Sequence, residues 1–263
     1  MSLSAPTSSA YTDVSVLARH AAAQLNELIA IAQTTGGVHG DHHARVVLTG
    51  GTAGIATLKA MREIFDEQQA GGGASHQLID YSRVHFFFGD ERNVAVDHPD
   101  SNEGQARQAW LDHVPVPEAN IHSFQLGTLS LEDSVSAMQE KIANFAPQGF
   151  DVHLLGMGGE GHINSLFPHT AALAEQDQLV VAVTDSPKPP AERATLTLPA
   201  VNRSAKVWFL IAGAGKEEAL SAVLDRGDAA QWPAAGAAGL QSTHVFATED
   251  AFDATYRPAV IID

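Results

Sequence analysis

The chain of 263 residues contains no cysteine and few basic residues. The absence of cysteine excludes disulfides, thiolate nucleophiles and cysteine-ligated metals. The 15 Lys and Arg stand against 31 Asp and Glu, which gives a net charge of -16 at pH 7. Because such a surface repels nucleic-acid phosphates and anionic lipids, we expect neither a nucleic-acid nor a membrane partner. An anionic small molecule would require the few cations to be gathered where it binds.

Long apolar runs and a secretory leader are also missing from the sequence. No stretch approaches the roughly 18 consecutive apolar residues of a membrane-spanning helix. The first residues, MSLSAPTSSAYTD, contain neither a cationic segment nor an apolar run, so we expect a cytoplasmic protein without a signal peptide. Hydrophobic residues make up 44% of the chain, enough to bury a sizeable core. We expect a single domain over 1–263, in which residues 1–11 form a flexible polar leader.

Helical and strand patterns alternate along the chain. Helical spacing over 14–32 predicts an amphipathic helix, with Thr12 or Asp13 as its N-cap and glycines 36 and 37 after its end. The apolar runs that follow are RVVL (45–48), VHFFF (84–88), DVHLL (151–155), LVVAV (179–183), KVWFLI (206–211) and HVFA (244–247), with helical patterns over 53–69, 102–113, 130–145 and 215–225. Runs without polar alternation are typical of strands buried on both faces. The predicted fold is α/β: a doubly wound, mostly parallel sheet with helices on both faces, in a Rossmann-like three-layer αβα arrangement.

Several of these predicted strands end in polar turns that contain glycine. The turns are TGGTAG (49–54), GDERN (89–93), GMGGEGH (156–162) and AGAGK (212–216). In open α/β sheets, ligands bind beyond the carboxyl ends of the strands. We therefore expect these turns to converge on one crevice.

The turn GMGGEG (156–161) matches the G-x-G-x-x-G spacing of dinucleotide-binding turns. A dinucleotide fold needs a long helix directly after the last glycine, and Pro168 would break such a helix. The turn instead places His162 at the end of a buried strand, with Glu160 before it. A histidine, with a reference pKa of about 6.5, suits proton transfer at neutral pH. We expect a general base here, and no nicotinamide.

Five blocks, in order, resemble the 6-phosphogluconolactonase family, which shares a superfamily with glucosamine-6-phosphate isomerase/deaminase. They are TGGTAG, GDERNVAVDHPDSN, LLGMGGEGHINSLFP, PPAERATLTLPAVN and GAGK, over roughly residues 44–220. The resemblance implies hydrolysis of 6-phospho-D-glucono-1,5-lactone to 6-phosphogluconate, the second step of the oxidative pentose phosphate pathway. It also implies that neither a metal nor an organic cofactor takes part, and that the partner is a sugar phosphate.

The resemblance also assigns roles to residues of this sequence. His162 would be the base that activates water, with Glu160 and Arg92 as further catalytic residues. The groups that would bind the substrate or shape its site are Gly50, Gly51, Thr52, Asp90, Glu91, Asn102, Arg193 and Lys216. Many members have Asp where this chain has Glu160, so the sequence leaves open whether this longer side chain orients His162.

Two other functions compete with the lactonase hypothesis. The isomerase/deaminase branch carries a glutamate five residues after the motif histidine, and this chain has Phe167 there, which cannot carry a proton. A non-catalytic sugar-phosphate sensor would keep the phosphate site without a base, but such sensors usually add a DNA-binding segment, which the charge of -16 opposes. A serine esterase is excluded because no G-x-S-x-G elbow occurs. For the oligomeric state we expect a monomer or a weak dimer.

Overall fold

The structure, a computed structural model, describes residues 5–71, 77–258 and 260–263. Its strands are β1 (Thr7–Tyr11), β2 (Ala44–Leu48), β3 (Val84–Phe88), β4 (Asp90–Arg92), β5 (Ile121–His122), β6 (Val152–Leu155), β7 (Val180–Val183), β8 (Arg193–Leu196), β9 (Lys206–Ile211), β10 (Ser242–Thr248) and β11 (Ile261–Ile262). Its α-helices are α1 (Val14–Thr35), α2 (Gly51–Gln69), α3 (Asn102–Ala109), α4 (Leu131–Phe145), α5 (Ala171–Ala174), α6 (Leu198–Val201) and α7 (Glu217–Asp225).

The main sheet has eight parallel strands in the order β11-β1-β10-β9-β6-β2-β3-β5. Successive side chains of a strand point to opposite faces, and here both faces are covered. In β9, Trp208 and Leu210 join one hydrophobic cluster, and Phe209 and Ile211 join the other. This arrangement confirms the predicted doubly wound α/β fold.

The first helix begins and ends as the sequence predicts. The Asp13 carboxylate accepts hydrogen bonds from the backbone N–H of Ser15 at 2.7 Å and of Val16 at 3.0 Å, so Asp13 is the N-cap. At the other end, Gly36 has a φ of 103° and its N–H donates to the carbonyl of Ala32. Glycine adopts this left-handed conformation without a steric penalty, which is why α1 ends there.

A second, three-stranded antiparallel sheet corrects the prediction for 179–183. The order of this sheet is β4-β8-β7, so the run LVVAV does not enter the main sheet. Val180 and Val183 are buried, whereas Val181 is half-buried and Ala182 is exposed. An unbroken apolar run can therefore also form a strand whose two middle residues are partly or fully exposed to solvent. The pairing of β8 with β4 places Arg193 opposite Arg92.

The expected flexible leader over 1–11 is wrong for residues 7–11. These residues form β1, which pairs with β10 from Thr7 opposite His244 to Tyr11 opposite Thr248. The segment TSSAY is mostly polar, but its last two residues, Ala10 and Tyr11, are buried. Its anchoring comes from backbone hydrogen bonds within the sheet, which polar residues can make as well as apolar ones.

Two buried histidines lie near the edge of the main sheet: His85 is the second residue of β3, and His122 is the last residue of β5. His85 Nδ1 and His122 Nε2 are 2.9 Å apart, and the ring of His122 stacks on that of Phe87 at a centroid distance of 4.3 Å. Burial penalises the charged form and lowers the pKa of both histidines, and nearby positive groups such as Arg45 lower it further. Both side chains are therefore neutral in the folded protein at pH 7.

These lowered pKa values predict that acid destabilises the fold. As the pH falls below the unfolded value of about 6.5, the unfolded chain binds protons that folded His85 and His122 do not, so the free energy of unfolding decreases. In His122→Phe this decrease between pH 7 and pH 5 should be smaller than in wild type. Urea unfolding at several pH values measures the slope. Identical slopes in wild type and His122→Phe would contradict the assignment.

Candidate active site

The predicted convergence of the four glycine-bearing turns is confirmed. β9, β6, β2 and β3 are neighbours in the main sheet, and each is followed by one of the turns. Their residues line a cavity of about 220 Å³ that includes Gly50, Asp90, Gly158, His162 and Lys216. Because parallel strands all end at the same edge, turns far apart in sequence share one crevice.

The turn after β6 is built to seat the ring of His162. A Cβ at Gly158 would lie 2.0 Å from His162 Nδ1, and Gly161 has a φ of 77°, so both positions favour glycine. The N–H of Gly158 donates to the carbonyl of His162 at 3.0 Å, which closes the turn. The ring of Phe167 stacks on the imidazole at a centroid distance of 4.5 Å and an interplanar angle of 21°. The imidazole is therefore held from two sides.

Glu160 reaches His162 despite the extra methylene. Its Oε1 atom lies 3.2 Å from His162 Nδ1, which is the contact that the sequence left open. A carboxylate can only accept, so this contact favours the tautomer with its proton on Nδ1, which leaves a lone pair on Nε2; the ammonium of Lys188, which can only donate, lies farther from Nδ1, at 3.4 Å. Within the described part of the chain, no hydrogen-bond partner contacts Nε2. The histidine thus presents an acceptor nitrogen that can take a proton.

The protonation state of His162 follows from its surroundings. Burial lowers the pKa of the imidazole, the positive charge of Lys188 lowers it further, and Glu160 and Asp90 partly oppose these effects. A histidine with a pKa below 6.5 is mostly neutral at pH 7. Neutral imidazole is the form that a general base requires.

Lys188 lines the cavity, although the sequence did not single it out. Its Nζ lies 2.8 Å from Glu160 Oε1 and 3.4 Å from His162 Nδ1. Partial burial acts to raise the pKa of Glu160, but the hydrogen bond from Lys188, a backbone hydrogen bond and the charges of His162 and Lys188 together lower that pKa to about 2. The signal that could have found Lys188 is its position in PKPPAER, directly before the PPAER block that contains Arg193.

Three further cations line the same cavity: Arg92, Arg193 and Lys216. Arg193 is buried, and its Nη2 donates to the carbonyl of Lys188 at 2.9 Å. Lys216 Nζ donates to the carbonyl of Met157 at 2.7 Å, and burial lowers the pKa of this lysine. Gathering cations in one place in a chain with a net charge of -16 creates a local site for an anion.

A polar network connects the turn after β3 with the first residue of α3 and with Ser165. Asn102 Nδ2 donates to Asp90 Oδ1 at 2.9 Å, and Arg92 Nη1 donates to Asn102 Oδ1, also at 2.9 Å. The other carboxylate oxygen of Asp90 accepts from Ser165 Oγ at 2.6 Å. Gly50 gives this network space, because a Cβ there would lie 2.4 Å from Asn102 Oδ1. Asp90, Arg92 and Asn102 all line the cavity, as predicted.

Glu91, predicted to bind the substrate or shape its site, does not line the cavity. Glu91 is buried behind the cavity, and its carboxylate accepts from the N–H of Asn102 and of Glu103, each at 2.8 Å, and from Ser101 Oγ at 3.0 Å. Asn102 and Glu103 are the first residues of α3, and N–H groups at the start of a helix have no partner within it. Glu91 therefore holds α3 in place, and it shapes the site only through Asn102.

The turn after β2 presents the N-terminus of α2 to the cavity. Gly50 is the N-cap of this helix and provides no side chain, and Gly51 has a φ of 78°. Gly50, Gly51 and Thr49 line the cavity, whereas Thr52, one residue further along the helix, does not. The hydroxyl nearest the cavity is thus that of Thr49, which accepts from the N–H of Gly156 at 3.0 Å. Uncapped N–H groups and the helix dipole favour an anion at this position.

The part of the chain that the structure describes contains neither a candidate metal-binding cluster nor a candidate membrane-spanning helix. Within residues 5–71, 77–258 and 260–263, no three His, Asp or Glu side chains are grouped closely enough to hold a metal ion. No α-helix in that part of the chain is both long and apolar enough to cross a membrane.

The fold and cavity together define a class: an α/β protein whose parallel strands end at a cationic cleft with a histidine–carboxylate pair. Comparison with known families assigns the chain more narrowly. Residues 12–246 match the family model described as glucosamine-6-phosphate isomerases/6-phosphogluconolactonase, and the chain belongs to this family.

Several similar proteins carry the name 6-phosphogluconolactonase. The 6-phosphogluconolactonase of Mycobacterium tuberculosis is 46% identical over 209 residues, which cover 76% of this chain and 80% of that protein. The Mycobacterium leprae 6-phosphogluconolactonase is 44% identical over 217 residues, covering 79% and 83%. The crystal structure of 6-phosphogluconolactonase from Thermotoga maritima aligns with a TM-score of 0.74 at 26% identity, over 92% of this chain and 99% of that one.

The contacts of Glu91 predict a loss of stability without a loss of ligand binding. Glu91→Gln replaces an acceptor-only carboxylate that binds two N–H groups of α3, so the free energy of unfolding should fall by about 1–3 kcal/mol. Urea unfolding measures this change, and calorimetric titration with 6-phosphogluconate measures binding. An unchanged unfolding midpoint together with strongly weakened binding would show that Glu91 contacts the ligand after all.

Proposed function

We propose that this chain hydrolyses 6-phospho-D-glucono-1,5-lactone to 6-phospho-D-gluconate, the second step of the oxidative pentose phosphate pathway. The observation that carries the proposal is the arrangement of His162, whose Nδ1 is fixed by Glu160 and whose Nε2 remains available at a cavity lined by cations. Membership of the family and the names of the relatives support the same reaction.

In the proposed reaction His162 moves one proton twice. Its Nε2 takes a proton from water while the water oxygen forms a bond to C1 of the lactone. The tetrahedral intermediate then breaks its bond between C1 and the ring oxygen, and the imidazolium returns the proton to that oxygen. A positioned general base contributes roughly 10²- to 10⁴-fold to such a rate. Glu160 stabilises the imidazolium between these transfers and keeps Nε2 as the reacting nitrogen.

The negative charge that develops on the carbonyl oxygen needs a donor nearby. Arg92 lines the cavity, but its Nη1 already donates to the Asn102 side chain at 2.9 Å and to the Asp100 carbonyl at 2.8 Å. These bonds fix the guanidinium plane, so its remaining N–H groups are oriented in advance. Preorganised donors at a developing oxyanion are worth about as much as the base itself. We assign Arg92 to this role.

The 6-phosphate is assigned to the N-terminus of α2, with Lys216 and Arg193 as its cations. The N-cap glycine allows a phosphate to approach the backbone N–H groups of residues 51–53. The phosphate is distant from C1 and takes no part in the chemistry, but its binding energy orients the lactone against His162. Thr52, whose side chain does not line the cavity, would contribute its backbone N–H.

The competing functions are less compatible with the cavity. A monomeric glucosamine-6-phosphate deaminase shares the fold at a TM-score of 0.72, but at 17% identity this likeness extends to the fold alone. The side chain stacked on His162 is Phe167, which has no ionisable group to assist in proton transfer between carbons. A sensor would not need a histidine whose tautomer is fixed by a carboxylate.

Replacing the proposed base should abolish the acceleration. His162→Gln keeps a polar side chain of similar size but cannot act as a base, so kcat should fall roughly 10²- to 10⁴-fold. The substrate is generated in a coupled assay from glucose 6-phosphate, and its loss is followed against a control without protein, because the lactone also opens spontaneously. Absence of acceleration by folded wild-type protein would refute the proposed function.

Lys216→Ala should affect binding more than turnover. Loss of a charge-assisted contact to the phosphate should raise KM about tenfold or more and leave most of kcat, because C1 and Nε2 keep their relation once substrate is bound. Lys206→Ala is the matched control, since Lys206 begins β9 at the end of the sheet opposite the cavity. A collapse of kcat with an unchanged KM would contradict the binding role.

A further inference from the structure

Lys188 is a charged residue of the cavity that the reaction above does not use. Its Nζ makes three contacts on one side: Glu160 Oε1 at 2.8 Å, His162 Nδ1 at 3.4 Å, and the face of the Phe167 ring at 5.9 Å from the centroid. Phe167 is the same ring that stacks on His162. The ammonium group is therefore placed against the histidine–carboxylate pair from the side of Nδ1.

The two contacts of Glu160 Oε1 differ in length. The distance to Lys188 Nζ is 2.8 Å, within the range of charge-assisted hydrogen bonds, whereas the distance to His162 Nδ1 is 3.2 Å. The side chain of Glu160 is 37% exposed, and a glutamate has several rotatable bonds. A single contact to a neutral imidazole would leave the carboxylate free to turn into solvent. The tighter contact to Lys188 fixes it.

The backbone that carries Lys188 is itself held in place. Arg193 donates through Nη2 to the carbonyl of Lys188 at 2.9 Å and through Nε to that of Pro190 at 3.1 Å. Ser186 Oγ also donates to the Lys188 carbonyl, at 3.0 Å. Arg193 is buried and belongs to β8, which pairs with β4 in the second sheet. Its hydrogen bonds therefore anchor the segment 186–190 to that sheet. The ammonium group thus extends from a fixed point.

We propose that Lys188 is a positioning residue: it pins Glu160 against Nδ1 of His162, so that Nε2 stays the unprotonated nitrogen that faces the substrate. The expected effect of Lys188 on the rate of hydrolysis rests on the proposed function, whereas its expected effect on the tautomer of His162 does not. The tautomer of His162 in the free protein does not depend on which substrate binds. Lys188 touches neither of the reacting atoms in this account, and it acts through Glu160.

The sign of the pH effect follows from the charges that face His162. These are Lys188, which opposes protonation, and Glu160 and Asp90, which favour it; the same cavity is lined by Arg92, Arg193 and Lys216. Removing the Lys188 charge removes an effect that lowers the pKa of His162, so that pKa rises. As the pH is lowered, activity that depends on neutral His162 would then begin to fall at a higher pH than in the wild-type protein.

The first test uses the free protein and needs no activity. Long-range ¹H–¹⁵N spectra of ¹⁵N-histidine-labelled protein report the tautomer and titration midpoint of each ring, and His162→Gln identifies the signals of His162. Wild type should show the Nδ1–H form. Lys188→Met, which keeps the aliphatic stem over Phe167, should lose this single form, because Glu160 is no longer held against Nδ1. Lys188→Arg should restore the wild-type spectrum, and Lys59→Met, at an exposed position on α2, should match it. An unchanged tautomer in Lys188→Met would overturn the proposal whatever the titration midpoint.

The second test separates positioning from substrate binding. In Lys188→Met the acidic limb of kcat/KM should move to higher pH, and kcat at pH 6 should fall about tenfold. In a Glu160→Gln background the same change should add less than about twofold, because the residue through which Lys188 acts is already altered. A raised KM with an unmoved pH profile, or a full additional loss in that background, would show that Lys188 contacts substrate instead. If wild type hydrolysed no lactone, the proposed function would fail while the spectra still decided the role of Lys188.

Discussion

The site depends on one constraint of the fold: parallel strands all end at the same edge of the sheet. β9, β6, β2 and β3 are adjacent, so the four turns that follow them meet although they lie far apart in sequence. Glycine makes their close approach sterically feasible, because a Cβ at Gly50 would collide with Asn102 and a Cβ at Gly158 with His162. Every later property of the cavity, including its charge and the orientation of the imidazole, follows from this convergence.

The second constraint is electrostatic. Four cations of a strongly acidic chain line one small cavity, and each has partners that fix its direction. Arg193 and Lys216 donate to backbone carbonyls, whereas Lys188 is paired with a carboxylate. Carbonyls orient a cation without cancelling its charge, so Lys216 keeps a field that attracts an anion, whereas Arg193 also lies 4.0 Å from the Asp90 carboxylate. The pairing of Lys188 with Glu160 instead directs its charge to the neighbouring histidine. The cavity thus combines a group of cations with a neutral histidine.

The sequence was most informative where a pattern repeats or a turn has a fixed chemistry. The buried strands, the capped helix α1 and the converging turns are all visible in periodicity and in glycine. Other features depend on partners that the sequence does not display. The polar segment TSSAY becomes a strand only through pairing with β10, and Glu91 turns away from the cavity because the N-terminus of α3 needs acceptors. Lys188 has no motif of its own, and its importance comes from a 2.8 Å contact with a residue far away in sequence.

The most direct test of the account is a crystal structure of the protein with 6-phosphogluconate, the proposed product. The account predicts the phosphate at the N-terminus of α2, in contact with Lys216 and Arg193. It also predicts C1 on the Nε2 side of His162, with a carboxylate oxygen within about 2.6–3.2 Å of that nitrogen or one water away. A phosphate bound elsewhere in the cavity, or C1 placed beyond the reach of Nε2, would contradict both the proposed orientation and the role of His162 as the base.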